Sequence, residues 1–76
     1  MSATWKDRIV SNPQVLRGKP CVRDTRIPVA MILGYLAARR SLQEILREYP
    51  DLTEADIDAA LEYARDLADF ELAVTT

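Results

Sequence analysis

Few side chains in this 76-residue sequence are suited to chemistry, and the absences are as informative as the residues present. There is no histidine for acid–base work and a single cysteine, Cys21. Lys19 and Arg23 flank Cys21 and would favour a thiolate, but the residue sits in an apolar pair with Val22, which reads as a buried structural thiol. Gly18-Lys19-Pro20 lacks the first glycine and the Ser/Thr of a phosphate-binding loop. Asp56 and Asp58 are two apart on an expected helix and do not face each other, so the carboxylates there read as a solvated face. One cysteine without histidine makes neither an intramolecular disulfide nor the usual Cys/His metal site. The expectation is a chain with no catalytic residues, no metal and no cofactor: a binding module, not an enzyme.

What remains is charge, and it is sharply segregated. Residues 1–47 carry nine basic against three acidic side chains, a net of +6, whereas residues 48–76 carry one against nine, a net of −8. The overall −2 therefore hides a dipolar molecule, whose basic end suits an anionic partner. The candidate partner- or nucleic-acid-binding residues are Arg17, Lys19, Arg23 and Arg26, with Arg39 and Arg40 further on. Four such charges on a short ribbon fit two readings: contact with a polyanion, or protection of a sheet edge from aggregation.

The elements that must position these residues follow from spacing. Asn12, Pro13, Gly18 and Pro20 punctuate the short apolar pairs of residues 9–26, which predicts a β-ribbon turning around Arg17-Gly18-Lys19. Pro28 opens a helix over 28–39, with Val29, Ile32, Leu33 and Leu36 on its inner face. Ser41 and Glu44 form a capping box before a second helix over 42–49, which Pro50 stops. Thr53 and Asp56 form another box, Leu52 staples onto Ile57, and a third helix over 54–71 turns Ile57, Ala60, Leu61, Ala64, Leu67 and Ala68 inward, leaving a frayed tail from Ala73. Trp5 and Phe70 are expected to pack together or on the helices. The fold class is mainly α: one trihelical, helix-turn-helix-like domain over residues 1–76 with a short N-terminal β-ribbon.

As a recognition helix the third helix has the wrong sign, since Glu54, Asp56, Asp58 and Glu62 would meet a polyanion. A dimerised basic ribbon is the better route to DNA. The chain is also small enough that folding alone buries only about 60% of its unfolded surface, so a homodimer, through a ribbon edge or a helix, is expected. No apolar run approaches the length of a membrane span, and a reducing cytoplasm is the expected location.

From Ile9 to Glu71 the chain resembles a bacterial family, the domain of unknown function numbered 433. The resemblance rests on Gly18-Lys19-Pro20-Cys21-Val22-Arg23, Thr25-Arg26-Ile27-Pro28-Val29, Tyr49-Pro50 with Leu52-Thr53, and Ala59-Ala60-Leu61 with Tyr63-Ala64. It implies a homeodomain-like or winged-helix-like fold and the role of a VapB-like antitoxin in a type II toxin–antitoxin pair, beside a PIN-like nuclease toxin. Such nucleases hold Mg²⁺ in clustered carboxylates, which an inserted arginine pairs with bidentately, so Arg23 and Arg26 become the residues expected to enter the toxin's site, with apolar helix surface supplying binding area. Two positions depart from the family pattern: Asp24 and Arg39 stand where it often has glycine, and the loss of an easy left-handed C-cap at Arg39 predicts a differently built link to Ser41. The competing readings are a stand-alone DNA-binding regulator using a dimeric basic ribbon, and a structural homodimer.

Overall fold

A computed structural model describes residues 4–75 of the chain, with side chains described from Trp5 to Asp69. It is mainly helical, with a two-stranded ribbon at its N-terminal end. A 3₁₀ turn, Thr4–Asp7, leads into β1 (Ile9–Val10), which pairs antiparallel with β2 (Cys21–Val22) in the register Ile9 to Val22 and Val10 to Cys21. Three helices follow: α1 (Val29–Ala37), α2 (Leu42–Glu48) and α3 (Glu54–Thr75).

The ribbon is shorter than the expected span, because each strand has two residues and the rest is turn. Its second edge is not free. Val22 N–H donates to the Ile27 carbonyl at 3.0 Å and Val29 N–H to the Pro20 carbonyl at 3.0 Å, so residues 27–29 run along β2 on the side away from β1. The same bonds explain how α1 starts. Pro28 stands at its N-cap with φ −73° and ψ 148°, so the helix begins at Val29, one residue after the expected start, and no side chain caps it. The Pro20 carbonyl takes the first orphan N–H instead.

α2 and α3 start as their sequence patterns require. Ser41 Oγ accepts from Glu44 N–H at 3.1 Å while the Glu44 carboxylate accepts from Ser41 N–H at 2.9 Å. Thr53 Oγ1 and Asp56 repeat the reciprocal pair at 3.2 and 3.0 Å. These boxes fix both helix starts and leave the apolar faces to meet. The core gathers Ile9 and Val22 from the ribbon, Val29 and Ile32 from α1, Ile45 from α2, Leu52, and Ile57, Ala59 and Ala60 from α3.

The α3 face differs from the expected one. Ile57 and Ala60 are buried, but so is Ala59, while Leu61, Leu67 and Ala68 are exposed. The buried stripe follows Asp56, Ala59, Ala60 and Tyr63, because Trp5 lies against Tyr63 with ring centroids 4.9 Å apart in an edge-to-face contact. The indole N–H donates to Asp66 Oδ2 at 2.7 Å, which extends the same side of the helix. Trp5 thus packs on α3, whereas the Phe70 side chain lies outside the described residues. α3 runs to Thr75, beyond the expected Glu71, and spans about 33 Å at 1.5 Å per residue. No helix among the described residues is long and apolar enough to cross a membrane.

Candidate functional site

The six candidate cations lie on three separate turns. Arg17 and Lys19 occupy the connection between β1 and β2. Asn12 Oδ1 accepts from Gln14 N–H at 2.9 Å, Gly18 N–H donates to Val15 carbonyl at 3.0 Å, and Lys19 N–H donates to Leu16 carbonyl at 3.1 Å. Leu16, Arg17 and Gly18 are consecutive left-handed residues, with φ of 52°, 58° and 83°. Glycine bears this without strain, but leucine and arginine do not. The Ser11 hydroxyl donates to the Gly18 carbonyl and helps to close the loop.

Arg23 and Arg26 lie at the other end of β2, on the turn that leads to α1. The Val22 carbonyl accepts from Thr25 N–H at 3.1 Å and from Thr25 Oγ1 at 2.8 Å, and the same Oγ1 accepts from Ile27 N–H at 3.0 Å. Together with the Val22 to Ile27 bond, these contacts pin the turn at both ends, with Asp24 at φ 64°. Arg23 N–H donates to the Arg8 carbonyl at 2.7 Å, and its side-chain Nε donates to the Asp7 carbonyl at 2.8 Å. The guanidinium is thereby held through Nε, which leaves the donors of its two terminal nitrogens for other partners. Arg26 is exposed, and no carboxylate among the described residues pairs with it.

Arg39 and Arg40 close the link between α1 and α2, on elements distinct from the ribbon. The expectation of a differently built link is overturned. Arg39 takes the left-handed conformation at φ 68°; its N–H donates to the Leu36 carbonyl at 3.0 Å, and Arg40 N–H donates to the Tyr35 carbonyl at 3.0 Å. These are the two bonds of a Schellman motif, so the backbone ending is the one glycine would give, built with arginine. The Glu44 carboxyl is held below its ordinary range chiefly by the Ser41 N–H, with the Arg40 and Arg47 charges assisting.

One basic residue had no signal in the sequence. Arg8 Nη1 donates to Asp56 Oδ1 at 3.1 Å, and Asp56 is buried. A single carboxylate therefore caps α3 through one oxygen and anchors the N-terminal segment through the other. Arg8 and Asp56 are 48 positions apart, beyond the reach of local pattern. Cys21 is buried, with its Sγ 3.8 Å from the Thr25 carbonyl. Among the described residues no three His, Cys, Asp or Glu side chains are grouped to hold a metal ion.

Arg23, Asp24 and Thr25 line two shallow grooves. One, of about 380 Å³, is shared with Asp7, Arg8, Asp51 and Asp56, so carboxylates accompany Arg23 there. The other, of about 490 Å³, continues over Val10, Ser11, Asn12, Pro13, Val15 and Cys21. An aimed guanidinium beside an unpaired one is suited to planar anionic groups, carboxylate or phosphate.

The sequence profile of a family described as protein of unknown function (DUF433) matches residues 9–64, which include all six candidate cations. The uncharacterized protein y4eO of Sinorhizobium fredii is 36% identical over 62 residues. That similarity covers 82% of this chain and 28% of the longer protein. No solved structure matches.

Proposed function

We propose, for a chain that belongs to the DUF433 family, that it is an antitoxin-type binding module whose basic arm occupies the acidic site of a PIN-like nuclease. The observation that carries this reading is the Arg23–Arg26 turn: Arg23 is aimed by the Asp7 carbonyl, Arg26 has no carboxylate partner among the described residues, and the backbone between them is pinned by Thr25. A rigid turn spends little conformational entropy when its guanidinium groups meet clustered carboxylates. The bidentate geometry of arginine suits a site built to hold Mg²⁺.

The test is co-purification with the product of the adjacent gene, followed by a nuclease assay of that product with and without this chain. A stable complex with suppressed activity, lost in Arg23→Ala with Arg26→Ala while helicity by circular dichroism is kept, is the expected result. Unchanged inhibition by that double variant would sink the arm mechanism, and absence of a complex would sink the antitoxin role.

Operon DNA binding is a second activity favoured by a different turn. Arg17 and Lys19 are exposed on the β1–β2 connection, an element distinct from α3 with its carboxylates Glu54 and Asp58. Affinity for duplex DNA that falls steeply with salt and is weakened by Arg17→Ala with Lys19→Ala would support it, whereas salt-independent or absent binding would remove it.

A further inference from the structure

Ile27 to Ala38 is the longest stretch of the chain without a charged side chain, twelve residues that include the whole of α1. The helix nevertheless has a solvent side. Ala30, Gly34 and Ala37 are exposed, fall within about 60° of one another around the helix axis, and stand opposite the buried Ile32. Half-buried Met31 and Leu33 border them on either side. The outer faces of the other helices are charged, with Glu44, Arg47 and Glu48 exposed on α2 and Glu54, Asp58, Arg65 and Asp69 on α3. A helix that is apolar all round is one that is covered. Gly34 points the same way. It lies inside α1 without a positive φ, and a Cβ there would meet no atom within 4 Å, so the fold gains nothing from a residue that weakens a helix. The missing side chain is of use to a helix approaching from outside, whose axis can then come closer.

Cations stand at both ends of this uncharged run, Arg26 immediately before it and Arg39 and Arg40 immediately after it, all exposed and none in an ion pair among the described residues. Asp24 beside Arg23 and Arg26 leaves the first end net positive, and Glu44, whose carboxylate caps α2, leaves the second so. A second copy laid face to face on α1, parallel or antiparallel, brings cations to cations at both ends. We propose that the occupant is instead a helix of a different protein, laying small and aliphatic side chains on Ala30, Gly34 and Ala37 and carboxylates against Arg26 at one end and Arg39 and Arg40 at the other. The inference deepens the antitoxin reading and rests on it for the partner. Arg26 ends the arm and immediately precedes the run, so a nuclease that receives the arm in its acidic site would also lay a helix on α1.

Calorimetric titration of the full chain with the product of the adjacent gene tests it, with the urea midpoint of each variant measured alongside. Gly34→Ala is expected to raise the midpoint yet weaken binding by about threefold, opposite directions that a purely structural role does not give. Ala30→Lys with Gly34→Lys, both at exposed positions, is expected to weaken binding by about a hundredfold with helicity kept. Arg39→Asn with Arg40→Gln keeps a residue that tolerates the left-handed backbone; it is expected to cost about tenfold and to flatten the dependence of affinity on salt. A complex that is abolished by Arg23→Ala with Arg26→Ala but indifferent to the Ala30 and Gly34 substitutions overturns the inference and leaves the antitoxin reading standing. Absence of any complex removes that reading and the inference with it. Self-association of the wild type that the double lysine variant abolishes would make the occupant a second copy, and overturns the proposal as well.

Discussion

At the helical end each helix start is closed by a named donor–acceptor pair and the interior is filled by isoleucines, whereas at the ribbon end two-residue strands are held by backbone bonds around left-handed residues. Ile32, Ile45 and Ile57 are almost wholly buried, and the Ser41–Glu44 and Thr53–Asp56 boxes satisfy orphan N–H groups beside them. The ribbon end carries four of the five positive-φ residues found among the described residues, Leu16, Arg17, Gly18 and Asp24. The difference separates two tasks. Stability resides where packing and caps agree, and the presentation of cations resides where the backbone is bent to a fixed shape and side chains are left to solvent.

The most severe way to break this comparison is Ile45→Ala. Removing a buried isoleucine side chain costs about 2–5 kcal/mol, against a total of roughly 4–11 kcal/mol for a chain of this size. Urea denaturation is expected to find the variant largely destabilised, while Arg26→Ala on the arm shifts stability by no more than about 0.5 kcal/mol. Equal losses from the two would dissolve the distinction.

Asp56→Ala comes next, because it removes the Asp56 half of the α3 capping box and the Arg8 anchor together. A lost cap costs about 0.5–2 kcal/mol, and leaving Arg8 without its partner places this variant at the upper end. Asp56→Asn keeps an acceptor for the Thr53 N–H and discards the charge. Its denaturation midpoint is expected to lie between those of the wild type and the alanine variant; coincidence with the wild type would mean that the ion pair contributes nothing.

The helical end was legible in sequence because its signals are local. Ser41 with Glu44 and Thr53 with Asp56 announce helix starts within four residues, and the apolar spacing of α1 and α2 finds Val29, Ile32 and Ile45. The α3 face was misjudged because Leu61 follows Ile57 at the i+4 spacing of a buried face, while the partner that selects the face, Trp5, is 61 positions from Asp66. A small residue such as Ala59 gives almost no hydrophobic signal, yet lies at the centre of the packing. On the arm, residue types identified the cations, but not which one is aimed. That depends on Arg23 reaching the Asp7 carbonyl, sixteen positions away along the chain.

Arg39 sharpens the comparison from the other direction, since it is the left-handed residue of the helical end. Two backbone bonds and the burial of the flanking helices hold it there at the cost of a Cβ in a crowded conformation. Arg39→Gly relieves that crowding and is expected to raise stability by about 1 kcal/mol, the order of the left-handed penalty less the entropy glycine adds to the unfolded chain. Asp24→Gly should act in the same direction at the ribbon end. A loss of stability in Arg39→Gly would show that the arginine side chain contributes more than its backbone costs.

Smaller effects are expected from titration. The indole N–H of Trp5, and after it the Arg65 guanidinium, hold the Asp66 carboxyl below its ordinary value of 3.8. A carboxyl depressed in the folded state stabilises above its unfolded pKa and loses that contribution as pH falls through the folded value, so the denaturant midpoint should drop on acidification between about pH 5 and pH 2. Glu44 acts in the same window and with the same sign. Trp5→Phe removes the strongest contribution to the Asp66 shift and should flatten part of the acid limb, leaving the share due to Glu44. An unchanged acid limb would place the pH sensitivity elsewhere.

The smallest expected effect lies at the junction of α1 and α2, where the hydroxyls of Tyr35 and Tyr49 are 3.1 Å apart. The bond to Tyr35, then burial, and then the nearby Tyr35 and Glu48 charges push the Tyr49 phenol from 10.0 up to about 12. Its protonated form is favoured by folding, so its contribution is complete below the unfolded pKa and is lost as pH rises from about 10 through the folded value. In Tyr35→Phe the largest cause is gone, and ultraviolet titration should find Tyr49 ionising nearer its ordinary range with little change in stability at neutral pH. If Tyr49 still ionises at the wild-type pH in that variant, burial at the end of α2 would outweigh the hydrogen bond, and the tie between the first two helices would be one of packing alone.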